Sequence, residues 1–164
     1  MKKCLIFSTF IVFYSFSVIA QINDNKIRLS VLKKGIIGHT FVFGKWKKDG
    51  STETNLKYIG SVTTTKGKTY KIMTSAWYWG LSHRSTSVVL IYSKQNKHIG
   101  GYHVGSVYDL PNQLTNGKLF FYNNDNPDCD KSINTTIDLT NGLPKQIFLK
   151  CKEDYGDLYL FSSD

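Results

Sequence analysis

The sequence predicts an all-β protein: a single antiparallel β-sandwich or flattened β-barrel of about 8–10 strands, preceded by a cleaved leader. Three observations carry this. Short runs rich in Val, Ile, Thr, Tyr and Phe recur along the chain, turn signals of two to four residues separate them, and no segment shows a convincing helical period.

The leader comes first. Lys2 and Lys3 precede an apolar stretch from Cys4 through Ile19, and Val18 and Ala20 occupy the small-residue positions that a signal peptidase reads before Gln21. This predicts export, with a signal peptide over 1–20 and an all-β domain over 21–164. The stretch is short for a bilayer span and no second run of about 18 apolar residues follows, so no transmembrane segment is expected after cleavage. The expected location is periplasmic or extracellular.

Candidate strands then follow in order: Lys26 to Leu32, Ile36 to Phe43, Leu56 to Thr64, Lys68 to Trp79, Ser87 to Ser93 and His98 to Val107. Lys118 to Tyr122, Ser132 to Leu139, Gln146 to Lys150 and Asp157 to Phe161 complete the set. Asp49-Gly50, Lys66-Gly67, Gln95-Asn96, Asn116-Gly117, Asn141-Gly142 and Tyr155-Gly156 lie between them, several supplying the positive-φ residues of tight hairpins. Leu56, Tyr58 and Val62 are expected on one face with Lys57 and Ser61 on the other, as in a strand wetted on one side. Val88-Val89-Leu90-Ile91-Tyr92 is apolar at every position and reads as a central or sandwiched strand.

Charge is unevenly placed. Residues 21 to 100 hold 14 basic and 3 acidic side chains, whereas 101 to 164 hold 5 and 9. A basic exported face can meet an anionic polysaccharide, a phospholipid surface or an acidic protein, while the compartment disfavours nucleic acid. Most of these lysines are also explained simply as solvated outer faces of strands. With Cys4 in the leader, Cys129 and Cys151 remain as an even pair in an oxidising compartment, which predicts a disulfide and argues against a catalytic thiol.

Four constellations carry side chains that could do chemistry. Trp77-Tyr78-Trp79-Gly80 followed by Ser82-His83-Arg84 places two indoles on one face of an extended segment, so Trp77, Trp79, His83 and Arg84 are the candidate binding residues; the alternative is that the indoles cap the core. In His98-Ile99-Gly100-Gly101-Tyr102-His103 the glycines read as a bulge that aligns Ile99, Tyr102 and Val104 inward and puts His98 and His103 on one outer face. A metal there needs a third ligand, with His39, His83, Asp109 or the carboxylates of the loop over 123–131 available only by elimination.

The loop Asn124 to Asp130 is rich in oxygens, making Asp128 and Asp130 weak metal candidates. Its EF-hand count fails at Cys129 and Thr135, and Asx turns around a disulfide explain the same residues. Ser106 lacks the Gly-x-Ser-x-Gly elbow, and a Ser-His-Asp set from Ser82, His83, His103 and Asp109 has no specificity. Asn134-Thr135-Thr136 matches a glycosylation acceptor, though the short Lys-Lys leader looks bacterial. The reading is a small exported non-catalytic binding module for a protein or glycan, with no cofactor. The alternatives are an envelope-associated structural component lying against an anionic surface through its basic N-terminal half, and a hydrolase.

Overall fold

The computed structural model of the protein describes residues 16–163, with side chains from Asp24 onward; most of the expected leader lies outside the described residues. One helix, α1 (Phe16–Lys34), is followed by β1 (Thr40–Gly44), β2 (Glu53–Thr63), β3 (Thr69–Trp79), β4 (Arg84–Ser93) and β5 (His98–Val104). After a 3₁₀ turn at Val107–Asp109 come β6 (Gln113–Thr115), β7 (Lys118–Tyr122), β8 (Asn134–Asp138), β9 (Gln146–Lys152) and β10 (Tyr155–Ser163). They form a seven-stranded sheet in the order β1-β2-β3-β4-β5-β10-β9 and a three-stranded sheet β6-β7-β8. All pairings are antiparallel. The chain is therefore mostly β, as its composition predicts.

Lys26 to Leu32, expected to be a strand, is instead part of α1. Ile27, Leu29 and Val31 alternate as in a strand, but Ile27 and Val31 also stand at the i, i+4 spacing of a helix face. Tertiary context decides between the two periods. Val31 and Leu32 are buried with Leu56, Tyr58, Met73, Val88, Leu90 and Tyr92, an apolar sheet face that only a covering element can shield from water. Arg28 pairs with Asp24 one turn earlier at 3.2 Å, Lys33 and Lys34 lie at the favourable C-terminal end, and the Gly35 N–H closes the last turn onto Val31 O.

The opposite face of the large sheet packs on the small one. Val89, Ile91, Tyr102 and Val104 share a buried cluster with Leu119 and Phe121 of β7 and with Ile147 and Leu149 of β9. Val88 to Tyr92 thus alternates between two cores, as a sandwiched central strand must.

Two bulges set which residue faces which core. In β2 the register slips between Tyr58 and Gly60, so Ile59 is the extra residue. Leu56 and Tyr58 face α1, while Val62 crosses to the inner core, correcting the expectation that all three share a face. In β5 the extra residue is Ile99, since Ile91 pairs with Gly100 and Tyr92 with His98. Ile99, Tyr102 and Val104 accordingly all pack on the inner core, as the glycine pair predicts.

The hairpin turns largely follow their signals. Thr115 pairs with Lys118 across Asn116-Gly117, whose φ angles of 50° and 75° are those of a type I′ turn. Tyr155-Gly156 differs: it opens β10 with a bulge instead of making a turn. The short strand β6 has no counterpart among the expected strands, because three residues carry too little pattern. Cys129 and Cys151 are bonded, with Cα atoms 4.6 Å apart, and the Asp130 N–H donates to Cys151 O at 2.8 Å. The loop after β7 is thereby tied to β9.

Two outcomes follow. Cys129→Ser removes a crosslink spanning 22 residues and should lower stability by about 2–4 kcal/mol. Urea unfolding and far-UV circular dichroism should show this loss with strand content intact. Gly100 sits at φ +143°, where a Cβ would run into the Ser162 carbonyl oxygen of the neighbouring strand. Gly100→Ala should therefore destabilise by more than about 2 kcal/mol, and an unchanged urea midpoint would contradict the close β5–β10 approach.

Candidate functional site

The register of β3 against β4 assembles the site. Trp77 faces Thr86 and Trp79 faces Arg84 across the hairpin, and even-numbered β4 positions from 84 to 92 look toward the α1 side. Trp77 and Trp79 therefore project from one face, as their spacing predicts. Their rings stack with centroids 5.7 Å apart and planes 25° apart. The Arg84 guanidinium lies 5.8 Å from the Trp79 ring centre, at the outer range of cation–π attraction. Trp79 Nε1–H donates to Thr86 Oγ1 at 3.1 Å, fixing the half-buried indole that supports its neighbour. Trp77 is 43% exposed, so it is a lid on the core in neither position nor burial.

His83 does not join these three. It takes φ 55° in the Gly80–Arg84 turn and lies between two rings, with centroids 4.2 Å from Trp46 and 4.9 Å from Tyr78. Trp46 comes from the β1–β2 connection and is moored by its Nε1–H to Gly80 O at 2.9 Å, with its backbone N–H directed to Glu53 at 3.4 Å. This contact was not legible in the sequence, where Trp46 stands alone among lysines. It brings the exposed Lys45, Lys47 and Lys48 to the same end of the sheet as Arg84.

The histidine pair behaves differently from a ligand pair. His98 pairs with Tyr92 and His103 with Val88, so both share the α1 side, but four β4 residues separate them, about 13 Å at the rise of a strand. Asp130 Oδ1 accepts from the Ser132 N–H and hydroxyl, and Asn126 Oδ1 from the Asp128 N–H, so the polar loop is folded into Asx turns. The Ser132 bonds also hold the Asp130 carboxyl below its usual range. Among the described residues no group of three or more His, Cys, Asp or Glu side chains is placed to hold a metal ion.

The imagined triad is likewise dispersed. Ser106 Oγ donates to Asp109 Oδ2 at 3.0 Å, and the Tyr159 hydroxyl approaches the same oxygen at 3.3 Å. Burial pushes the Tyr159 phenol up to about 12. No hydrogen bond among the described residues joins Ser82, His83, His103 and Asp109 to one another.

A second feature lies on the other face of β2 and β3. Thr40, Asn55, Lys57, Thr74, Ala76 and Tyr78 form one wall of a half-open cavity of about 180 Å³, and Val107, Leu110, Pro111 and Asn112 form the other. Burial and the nearby Glu53 charge raise the Tyr78 phenol, with a hydrogen bond from Asn55 opposing them. Of this wall the sequence predicts only Lys57, on the wetted side of β2.

Comparison with known proteins finds no matching family model, no matching curated protein and no matching solved structure.

The two indoles are expected to separate in a stability measurement. Trp77→Ala, at an exposed position, should shift unfolding by no more than about 0.5 kcal/mol. Trp79→Ala removes a half-buried ring stacked on Trp77 and a hydrogen bond to Thr86, and should lose about 1–2 kcal/mol in the same urea titration.

Proposed function

We propose that this protein is an exported, non-catalytic binding module that recognises an anionic glycan on the Trp77–Trp79–Arg84 face. The single observation that carries the reading is an exposed indole stacked on a second, hydrogen-bonded indole. Trp77 is open to solvent, Trp79 stacks behind it, and Thr86 and Arg84 anchor Trp79. A preordered aromatic ring binds without a further loss of rotamer freedom, and its face suits the C–H surface of a sugar ring.

The charge of the surroundings selects the glycan. Arg84 stands beside the indoles, and the moored loop adds Lys45, Lys47 and Lys48 at the same end of the sheet. A carboxylate or sulfate on a sugar would meet Arg84 while the ring stacks on Trp77, and the lysines at that end of the sheet would add longer-range attraction. Export with cleavage after Ala20 is part of the same proposal, supported by the leader pattern and by the disulfide. The intact mass of the exported chain tests it.

Binding is tested with uronate-bearing, sulfated and neutral oligosaccharides, read by indole fluorescence. The acidic oligosaccharides should bind, weaken with added salt, and lose at least about tenfold affinity, or about 1.4 kcal/mol, in Trp77→Ala. Equal binding by the wild type and Trp77→Ala would overturn the assignment.

A further inference from the structure

The cavity behind the indole face has a chemistry of its own. Its wall offers one cation, Lys57, and no carboxylate, together with the hydroxyls of Thr40, Thr74 and Tyr78 and the amides of Asn55 and Asn112. The opposite wall, from Leu110 and Pro111, is apolar. Asn55 Oδ1 has no hydrogen-bond partner but is closed off from the cavity space, so the hydroxyls of Thr40, Thr74 and Tyr78 and the Lys57 ammonium are the polar groups left to meet a ligand. Among the described residues Lys57 also has no ion pair or side-chain hydrogen bond, the single salt bridge being Arg28–Asp24. Asn112 Oδ1 already accepts from the Tyr122 N–H at 2.8 Å, which leaves its amide N–H₂ as a donor toward the cavity.

We propose that this cavity binds a small hydroxylated monocarboxylate of the size of one six-membered ring. Size, charge and hydrogen bonding each narrow the choice. The volume is about 180 Å³, close to the roughly 150 Å³ that accommodates benzene and below the roughly 300 Å³ at which drug-sized sites begin. One lysine without an arginine fork or a nest of backbone N–H groups matches a single negative charge better than a phosphate dianion. The hydroxyls of Thr40, Thr74 and Tyr78 match the hydroxyls of such a ligand, and Leu110 and Pro111 offer an apolar wall to its C–H surface. Tyr78 joins the cavity to the turn that carries His83: its hydroxyl meets Asn55, while its ring stacks on His83. The proposal does not rest on glycan recognition by Trp77.

The test is a titration of the full exported chain with glucuronate, followed by nuclear magnetic resonance of the side-chain amides of Asn55 and Asn112. Glucuronate should shift both amides saturably, and glucose and inorganic phosphate should bind at least tenfold more weakly. Lys57→Met should weaken glucuronate at least tenfold and abolish its advantage over glucose. Asn55→Asp, which keeps the shape but adds a like charge, should do the same. Two-dimensional spectra of both variants should retain the wild-type dispersion. The proposal is overturned if Lys57→Met and Asn55→Asp bind glucuronate as the wild type does. It also fails if only the indole signals of Trp77 and Trp79 respond, or if no saturable shift occurs up to 50 mM ligand, about where binding would fall to 2 kcal/mol.

Discussion

The structure depends on one constraint: β4 is apolar on both faces, so the sheet at its centre must be covered twice. Val88, Leu90 and Tyr92 turn one way, and Val89 and Ile91 the other, with all five buried. Burying one such side chain contributes about 1.5–3 kcal/mol, so leaving either set in water would remove much of the stability of a domain of this size. The two coverings are unlike. A helix closes one side and a three-stranded sheet closes the other, because α1 brings a single apolar stripe whereas β6, β7 and β8 bring a pleated one.

The coverings do not reach everywhere, and the exposed parts follow from that. The helix-side core ends at β4 and β1, and Trp77 lies beyond it on β3. On β9 and β10, Ile147, Leu149, Tyr159 and Phe161 pack inward, while Phe148, Leu158 and Leu160 on the opposite face stay exposed. The same sheet therefore presents an aromatic face at one place and an aliphatic one at another. Its bulges at Ile59 and Ile99 are what allow neighbouring apolar residues to serve different cores.

The candidate surfaces are stiff for the same reason that the core is stable. Trp77 and Trp79 stand on one of the sheet's longest strands, paired on both sides, so their positions are set by backbone ladders and not by loop conformation. His83 and Trp46 hold the adjoining turn and loop against β3 through ring contacts and one indole hydrogen bond. The cavity on the reverse side uses the opposite side chains of these same strands, Asn55 and Lys57 on β2 and Thr74 and Tyr78 on β3. A rigid β2–β3 pair thus presents two chemically distinct faces.

The sequence by itself determined what depends on local pattern. Nine of the strands, the type I′ turn at Asn116-Gly117, the common face of Trp77 and Trp79, the inward alignment of Ile99, Tyr102 and Val104, and the pairing of Cys129 with Cys151 all follow from side-chain alternation, positive-φ residues or cysteine arithmetic. Tertiary structure alone decided the rest. Lys26 to Leu32 fits both a strand and a helix, and only the uncovered apolar face of β2–β4 selects the helix. The bulge at Ile59 is marked only by the single Gly60 at φ 132°, a weaker signal than the glycine pair of β5, and the register against β3 is what moves Val62 to the other face. His83 left the indole pair because Trp46, distant in the chain, offered it a second ring. The cavity was hidden for the same reason: its opposite walls, β2–β3 and Val107 to Asn112, lie far apart in sequence, and no local pattern records which distant segment will close over a polar strand face.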